Sequence, residues 1–277
     1  MDYFLIYLTL AAYYVAAALW LAFFLVQRQN YCRLGAAFMT AGFAGHTVAL
    51  LWRTLRLGML PAVALGETLL VFAWALAAAF LFLYWRFPIK VLGALVAPVA
   101  ALLVSASLIL PAGQGAVSPM LQSLSLACHV ILAILGNAAL TMAGLGGVFY
   151  LLQEREIKGK RFGFFYRRLP SLDQLDALNY WCLTLGFPLL TAGIISGSLY
   201  AQSHLGTFWR WDVKEVLTLT AWLIYAVLLH ERLAVGWRGR RAAWLAISGL
   251  AALVITFVGA NLWLESYHSF ASFMKQP

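Results

Sequence analysis

Eight apolar runs, each near the roughly 20 residues an α-helix needs to cross a bilayer core, leave this chain few folds to choose from. They cover residues 3–27, 35–57, 66–86, 90–110, 124–152, 179–200, 213–233 and 243–264. In hydrocarbon no water satisfies backbone N–H and C=O groups, so a run of this length must close its hydrogen bonds within itself, as a helix. Of 277 residues 64% are hydrophobic and 10% charged, against about a quarter charged in an ordinary soluble domain. The expected fold is all-α: a polytopic integral membrane protein, an eight-transmembrane-helix bundle forming a single membrane domain over 1–277, with the lipid bilayer as its first partner. No soluble domain, repeat array or low-complexity segment interrupts it. Asp2 precedes the first run and no basic residue does, so that run reads as a permanent span rather than a cleaved leader.

Charge sets the direction. With connector 28–34 placed in the cytoplasm, alternate connectors fall there too, including the long polar one at 153–178, read as a solvated cytoplasmic hairpin. That side then holds 14 of the 19 cations, among them Arg28, Arg33, Arg86, Lys90, Arg155, Lys158, Arg232 and Arg240; the other keeps Arg53, Arg56, Arg210, Lys214 and Lys275. Basic residues concentrate in cytoplasmic connectors, so both termini and connector 201–212 are expected on the outer face. In a membrane chain the net charge of +9 reports this topology and gives no ground for a nucleic-acid partner.

Some residues read as packing. Gly193 and Gly197 form a GxxxG pair, and Ala133, Gly136, Ala143, Gly144 and Gly147 recur along the fifth span; small residues let helices approach closely in lipid. Pro98 and Pro188 lie inside spans as kinks. Cys32, Cys128 and Cys182 follow no metal or disulfide spacing and read as small buried apolar side chains. Glu67 opens the third span, where a carboxylate suits the positive end of a helix.

One connector departs from this plainness. Gly206-Thr207-Phe208-Trp209-Arg210-Trp211-Asp212-Val213-Lys214-Glu215 sets two indoles among two carboxylates and two cations. Interfacial tryptophan is ordinary, but this grouping predicts a flat apolar wall edged with charge, suited to a planar amphiphile. His129, near the outer end of span five, and His268, beyond the outer end of span eight, flank it. Alone, each is an ordinary satisfied histidine; together they could hold a haem iron axially. Arg210 and Lys214 could pair with propionates. His230 closes span seven at its inner end, on one arc with Glu215, Leu219 and Ala226, roughly 22 Å from Glu215 at 1.5 Å per residue. It reads either as a snorkelling side chain beside Glu231 and Arg232 or as an inner haem station. His46, mid-span and about 16 Å from the inner end, is a candidate second inner ligand. His204 is an accessory loop residue.

In order along the chain stand Gly66-Glu67-Thr68, Leu92-Gly93-Ala94-Leu95-Val96-Ala97-Pro98, Leu169-Pro170-Ser171-Leu172-Asp173, the Gly206–Glu215 segment with Trp222, Tyr225 and Leu229-His230, then Gly259-Ala260-Asn261-Leu262 and Tyr267-His268-Ser269-Phe270. This series resembles the CcsA/ResC branch of the cytochrome c assembly superfamily, with CcmC and HemX-like proteins as its wider kin. The resemblance implies a WWD-type haem-binding segment at about 200–216, with Trp209, Trp211 and Asp212 as its core and His129 and His268 as external haem ligands. It implies haem uptake from the cytoplasm at His230 and presentation of haem b to an apocytochrome c bearing CxxCH. It also implies a CcsB/ResB-like membrane subunit sharing a haem lyase (holocytochrome c synthase) complex, thiol-reducing proteins that keep the substrate cysteines reduced, and residence in the bacterial cytoplasmic (inner) membrane. Two positions differ from the family pattern: Leu205 where a tryptophan is usual, and Val213 where a proline is. They leave open a HemX-like role, regulating or assisting haem biosynthesis without cytochrome ligation. A transporter of another solute is a weaker alternative, since few ionisable residues lie within the spans.

Overall fold

A computed structural model describes residues 2–62, 64–87, 89–110, 122–160 and 163–262, with the side chains of 2, 3, 205 and 258–262 outside that description. Among the described residues the chain is helical throughout, with no strand: α1 (Asp2–Val26), α2 (Gln29–Leu57), α3 (Leu65–Arg86), α4 (Gly93–Ile109), α5 (Leu124–Lys158), α6 (Leu172–Leu205), α7 (Val213–His230) and α8 (Arg240–Leu262). A turn of 3₁₀ helix leads into α4 and a turn of π-helix, Glu231–Val235, follows α7. All eight helices are long and apolar enough to cross a membrane. Large apolar side chains such as Leu55, Ile109 and Leu124 face outward, as lipid solvent permits.

The helices form two compact units, Met1–Gln122 and Ser123–Pro277. In the first, α1 packs on α2 and α4, and α3 on α4. Trp20 and Tyr13 fill its centre without exposure. A Cβ at Gly93 would run into the Trp20 ring, so this glycine is set by close approach, where a side chain would force the helices apart. Glu67 caps α3 as anticipated, accepting from the Ala64 N–H at 3.2 Å. It is also bound by Arg53 at 2.9 Å and is nearly buried.

In the second unit α5 and α6 form a long antiparallel pair, with α8 against α5 and α7. Gly146 meets Leu178, Gly136 meets Leu190, Gly193 meets Ala133 and Gly197 meets His129, so positions rise along one helix as they fall along the other. The small residues of α5 serve two neighbours: Gly136 opens toward α6, while Gly144 and Gly147 open toward Leu250 and Ala243 of α8. Hydrogen bonds cross between helices from Asn179 Nδ2 to the Ala143 carbonyl at 3.1 Å, from Trp222 Nε1 to Thr191 Oγ1 at 2.8 Å and from Tyr225 OH to the Leu140 carbonyl at 3.3 Å. Each satisfies a polar group that lipid cannot. Pro98 and Pro188 sit inside α4 and α6, which continue through them.

The connector expected over 153–178 is shorter than its polarity suggested. Helix α5 runs on to Lys158 and α6 begins at Leu172. Both extensions are stabilised locally. Lys158 bonds Glu154 one turn back at 2.7 Å, and Ser171 and Gln174 cap α6 reciprocally, Ser171 Oγ accepting from Gln174 N at 3.3 Å and Gln174 Oε1 from Ser171 N at 3.2 Å.

Candidate functional site: the tryptophan loop and the seat of His129

Helix α6 stops at Gly206, whose φ of 74° is the left-handed conformation that lets glycine end a helix. Helix α7 starts from Asp212, whose Oδ1 accepts from Glu215 N at 2.8 Å. Glu215 reaches back in turn, its Oε2 accepting from Arg210 N at 2.9 Å. Both carboxylates of the motif are thus bound to backbone N–H groups and fix the loop on the first turn of α7. Trp211 between them has φ 59°, an uncommon value for a bulky residue that costs of order 1–3 kcal/mol and persists only where its surroundings impose it. The reversal turns its ring outward, 71% exposed. Trp209 is half-buried, its ring 6.1 Å from that of Trp211 at 76°. The indoles therefore meet edge to face and form a corner, where a flat wall was expected. The negative ring face attracts the positive edge. Trp209 Nε1 is buried with no hydrogen-bond partner among the described residues. Arg210 is exposed and Lys214 half-buried.

At the same end of this unit, in the second turn of α5, stands His129. Its Nδ1 lies 2.7 Å from the Gly193 carbonyl oxygen. A carbonyl only accepts, so Nδ1 carries the proton and the ring's acceptor nitrogen is Nε2. The ring fits against Gly197, where an added Cβ would lie 2.5 Å from Nδ1 and 2.6 Å from Cε1. Metal-binding histidines are commonly oriented this way, through the other ring nitrogen to a backbone carbonyl. An oriented imidazole, an orphaned indole N–H, an exposed indole face and two cations suit a haem with its iron and propionates. His268 lies outside the described residues.

The other histidines are dispersed. His230 ends α7 and is exposed. The packed face of α7 is Ala221, Tyr225 and Leu228, roughly 140° around the helix from the arc of Glu215, Leu219, Ala226 and His230 at about 100° per residue. Within its unit that arc therefore faces away from the core. His46 is 0% exposed in the first unit, its Nδ1 3.3 Å from Tyr13 OH and its Nε2 buried without a hydrogen-bond partner among the described residues. His204 stacks on Tyr200 with centroids 4.3 Å apart. Cys32 and Cys182 are buried as expected, but Cys128, beside His129 near the start of α5, is exposed.

Sequence reading missed Asp176. At the end of the unit opposite the tryptophan loop, Arg232 Nη1 binds Asp176 Oδ1 at 3.2 Å and Nη2 binds its main-chain oxygen at 2.9 Å, while Gly239 N donates to Oδ1 at 2.8 Å. Asp176 lay within the stretch read as a solvated hairpin, and its partner is 56 residues away. The Ser-x-x-Gln capping signal at 171–174, which starts the helix that carries it, was the available clue.

A first expectation follows for the loop. Glu215→Gln keeps an acceptor for Arg210 N but loses charge; Glu215→Ala loses both. The alanine variant should free the loop, measured as faster hydrogen exchange over 207–212 and weakened haem binding, with glutamine between it and wild type. Equal exchange in all three would show that Glu215 does not hold the loop.

Eight helices long and apolar enough to cross a membrane, with a tryptophan-rich connector and a seated histidine at one end of the second unit, define a polytopic helical membrane protein. Residues 62–268 match the family model described as cytochrome C assembly protein. The chain is 34% identical over 252 residues to the cytochrome c biogenesis protein CcsA of Synechococcus sp. (strain RCC307), covering 82% of this chain and 81% of that one. It is 31% identical over 270 residues to CcsA of Guillardia theta, covering 91% and 90%. The solved structure of the cytochrome c haem lyase CcmF superposes with a TM-score of 0.69 at 17% identity, over 93% of this chain but 46% of that one; that likeness concerns the fold alone. The chain belongs to the cytochrome c assembly protein family, whose members take part in cytochrome c biogenesis.

Proposed function

We propose that this protein binds haem b and presents it at the outer face of the bacterial cytoplasmic membrane for attachment to apocytochrome c, as one subunit of a haem lyase shared with a CcsB/ResB-like membrane protein. The observation that carries the reading is the seating of His129, whose Nδ1–H is held by a backbone carbonyl at the rim where the tryptophan loop stands. The cation distribution supports placing that rim, and both termini, outside. Haem, when bound, supplies an iron that accepts imidazole and the vinyl groups to which the thiols of a CxxCH segment add. The chain's own residues position and shield. His129, with His268 as its proposed partner, offers a ring nitrogen in a fixed direction. Trp209 and Trp211 cover an apolar face and exclude water from it, and Trp209 Nε1–H, Arg210 and Lys214 offer donors to carboxylates. His230 is proposed as the inner station, and His46, where it serves, must first be uncovered. Thiol-reducing proteins would keep the incoming cysteines reduced.

The departure at Val213 takes little from this reading. It is the first helical residue of α7, a position where proline is favoured because the N–H goes unused there. Valine leaves the Asp212 cap in place. The HemX-like alternative thus loses one of its two supports.

The purified protein should show a Soret band, and His129→Ala/His268→Ala should abolish it. A full Soret band in the double variant would reject the outer site.

A further inference from the structure

At the end of the second unit opposite the tryptophan loop, a surface groove of about 540 Å³ runs between the last turns of α5 and the first turns of α8, lined by Leu151, Glu154, Arg155, Lys158, Arg240 and Trp244. Three cations, Arg155, Lys158 and Arg240, line it with one carboxylate, Glu154. Glu154 takes Lys158 at 2.7 Å and Arg240 at 3.7 Å, which leaves the groove with a positive excess. The helix termini account for part of this, since Arg155 and Lys158 close α5 at the negative end of its dipole. They do not account for Arg240, which opens α8, where the dipole is positive and a cation is disfavoured. The positive-inside bias explains cations on this side but not their convergence on one groove. Below the charges the wall turns apolar: Leu151 lies one turn back along α5, and Trp244 one turn into α8 with its indole 53% exposed. Charge at the rim of a membrane-spanning pair, with an exposed indole and a leucine on the lipid side, matches a ligand that is anionic at one end and apolar at the other.

We propose that this groove binds the headgroup of an anionic phospholipid, with the phosphate among Arg155, Lys158 and Arg240 and the glycerol and upper acyl chains against Leu151 and Trp244. Basic pockets between spanning helices are a recurrent setting for such headgroups. The site is separate from the tryptophan loop and does not depend on haem.

The test uses the full-length protein in phosphatidylcholine nanodiscs with and without phosphatidylglycerol, reading the thermal midpoint and the lipid retained on native mass spectrometry. Wild type should gain stability with phosphatidylglycerol and retain it. Arg155→Ala/Arg240→Ala should lose the gain and retain about 25-fold less, at about five-fold per cation removed. Arg155→Gln, which alters a side chain with no described ion pair, should show a smaller loss in the same direction, and it serves as the readout where the double variant fails to fold. Arg167→Ala/Arg238→Ala removes two exposed cations outside the groove and should leave the gain intact. Equal retention in Arg155→Ala/Arg240→Ala and wild type, or an equal loss in the control pair, would overturn the proposal. So would equal protection by inorganic phosphate in phosphatidylcholine alone, since the groove would then take a free anion.

Discussion

Replacing Gly197 by alanine should weaken haem binding by about 10- to 100-fold, the usual cost of disturbing the group that orients a metal ligand. The new Cβ would stand 2.5 Å from His129 Nδ1 and 2.6 Å from Cε1, inside the contact distance of any real pair, so the imidazole must rotate out. The hydrogen bond to the Gly193 carbonyl goes with it, and the direction of Nε2 is no longer fixed. Gly136→Ala, on the same α5–α6 seam, is the control. Its Cβ would stand 2.6 Å from Leu190 N and 3.0 Å from Leu190 Cα, which presses on helix packing two turns from His129. Titration with haem and thermal unfolding should separate the two. Gly197→Ala should change affinity more than stability, and Gly136→Ala stability more than affinity. If haem affinity ignores Gly197→Ala while His129→Ala still reduces it, the carbonyl does not orient the ligand. If affinity ignores both, His129 is not a ligand.

That contrast also shows what the sequence could reveal. GxxxG at 193–197 reads as a packing face, and for Gly193 it is one. Gly197 sits on the same face one turn away, and its close neighbour is the histidine on which the functional reading rests. Spacing identifies small residues but not what approaches them. The eight spans were legible because lipid leaves the backbone one way to satisfy itself, and hydropathy reports that directly. Helix ends were less so: residues 153–158 are polar and 172–178 mix carboxylates with leucines, and both are still helical, since such helix ends depend on capping and charge pairs as well as hydropathy. The tryptophan motif stood out by composition. Its geometry did not, because whether Asp212 and Glu215 face a ligand or their own backbone depends on the left-handed turn at Trp211. Periodicity placed Glu215 and His230 on one arc of α7, but Ala221, Tyr225 and Leu228 pack on another. A helical wheel gives relative direction only.

Breaking the Asp176–Arg232 pair should destabilise the protein by about 3–5 kcal/mol, the range for removing one partner of a buried ion pair. Arg232 and Asp176 side chains are 5% and 17% exposed. Tyr180 lies beneath the guanidinium at 5.1 Å, and Gly239 N shares Asp176 Oδ1. The carboxylate thus ties the start of α6 to both sides of the connection between α7 and α8, the segment that follows His230. Asp176→Ala strands a buried guanidinium, and Arg232→Ala strands a carboxylate that keeps only the Gly239 N–H; the first should be the worse. The double alanine variant removes both uncompensated charges, so its loss should fall well short of the two single losses added. Urea unfolding in mild detergent reads all three. Additive losses would mean that each side chain acts through packing alone and that the charge pair contributes little. A second readout locates the effect: the single variants should speed hydrogen exchange over 231–239 while leaving 207–212 unchanged, because the tryptophan loop is held at the other end by Asp212 and Glu215. Equal acceleration at both ends would mean that the pair secures the whole unit rather than the segment beside His230.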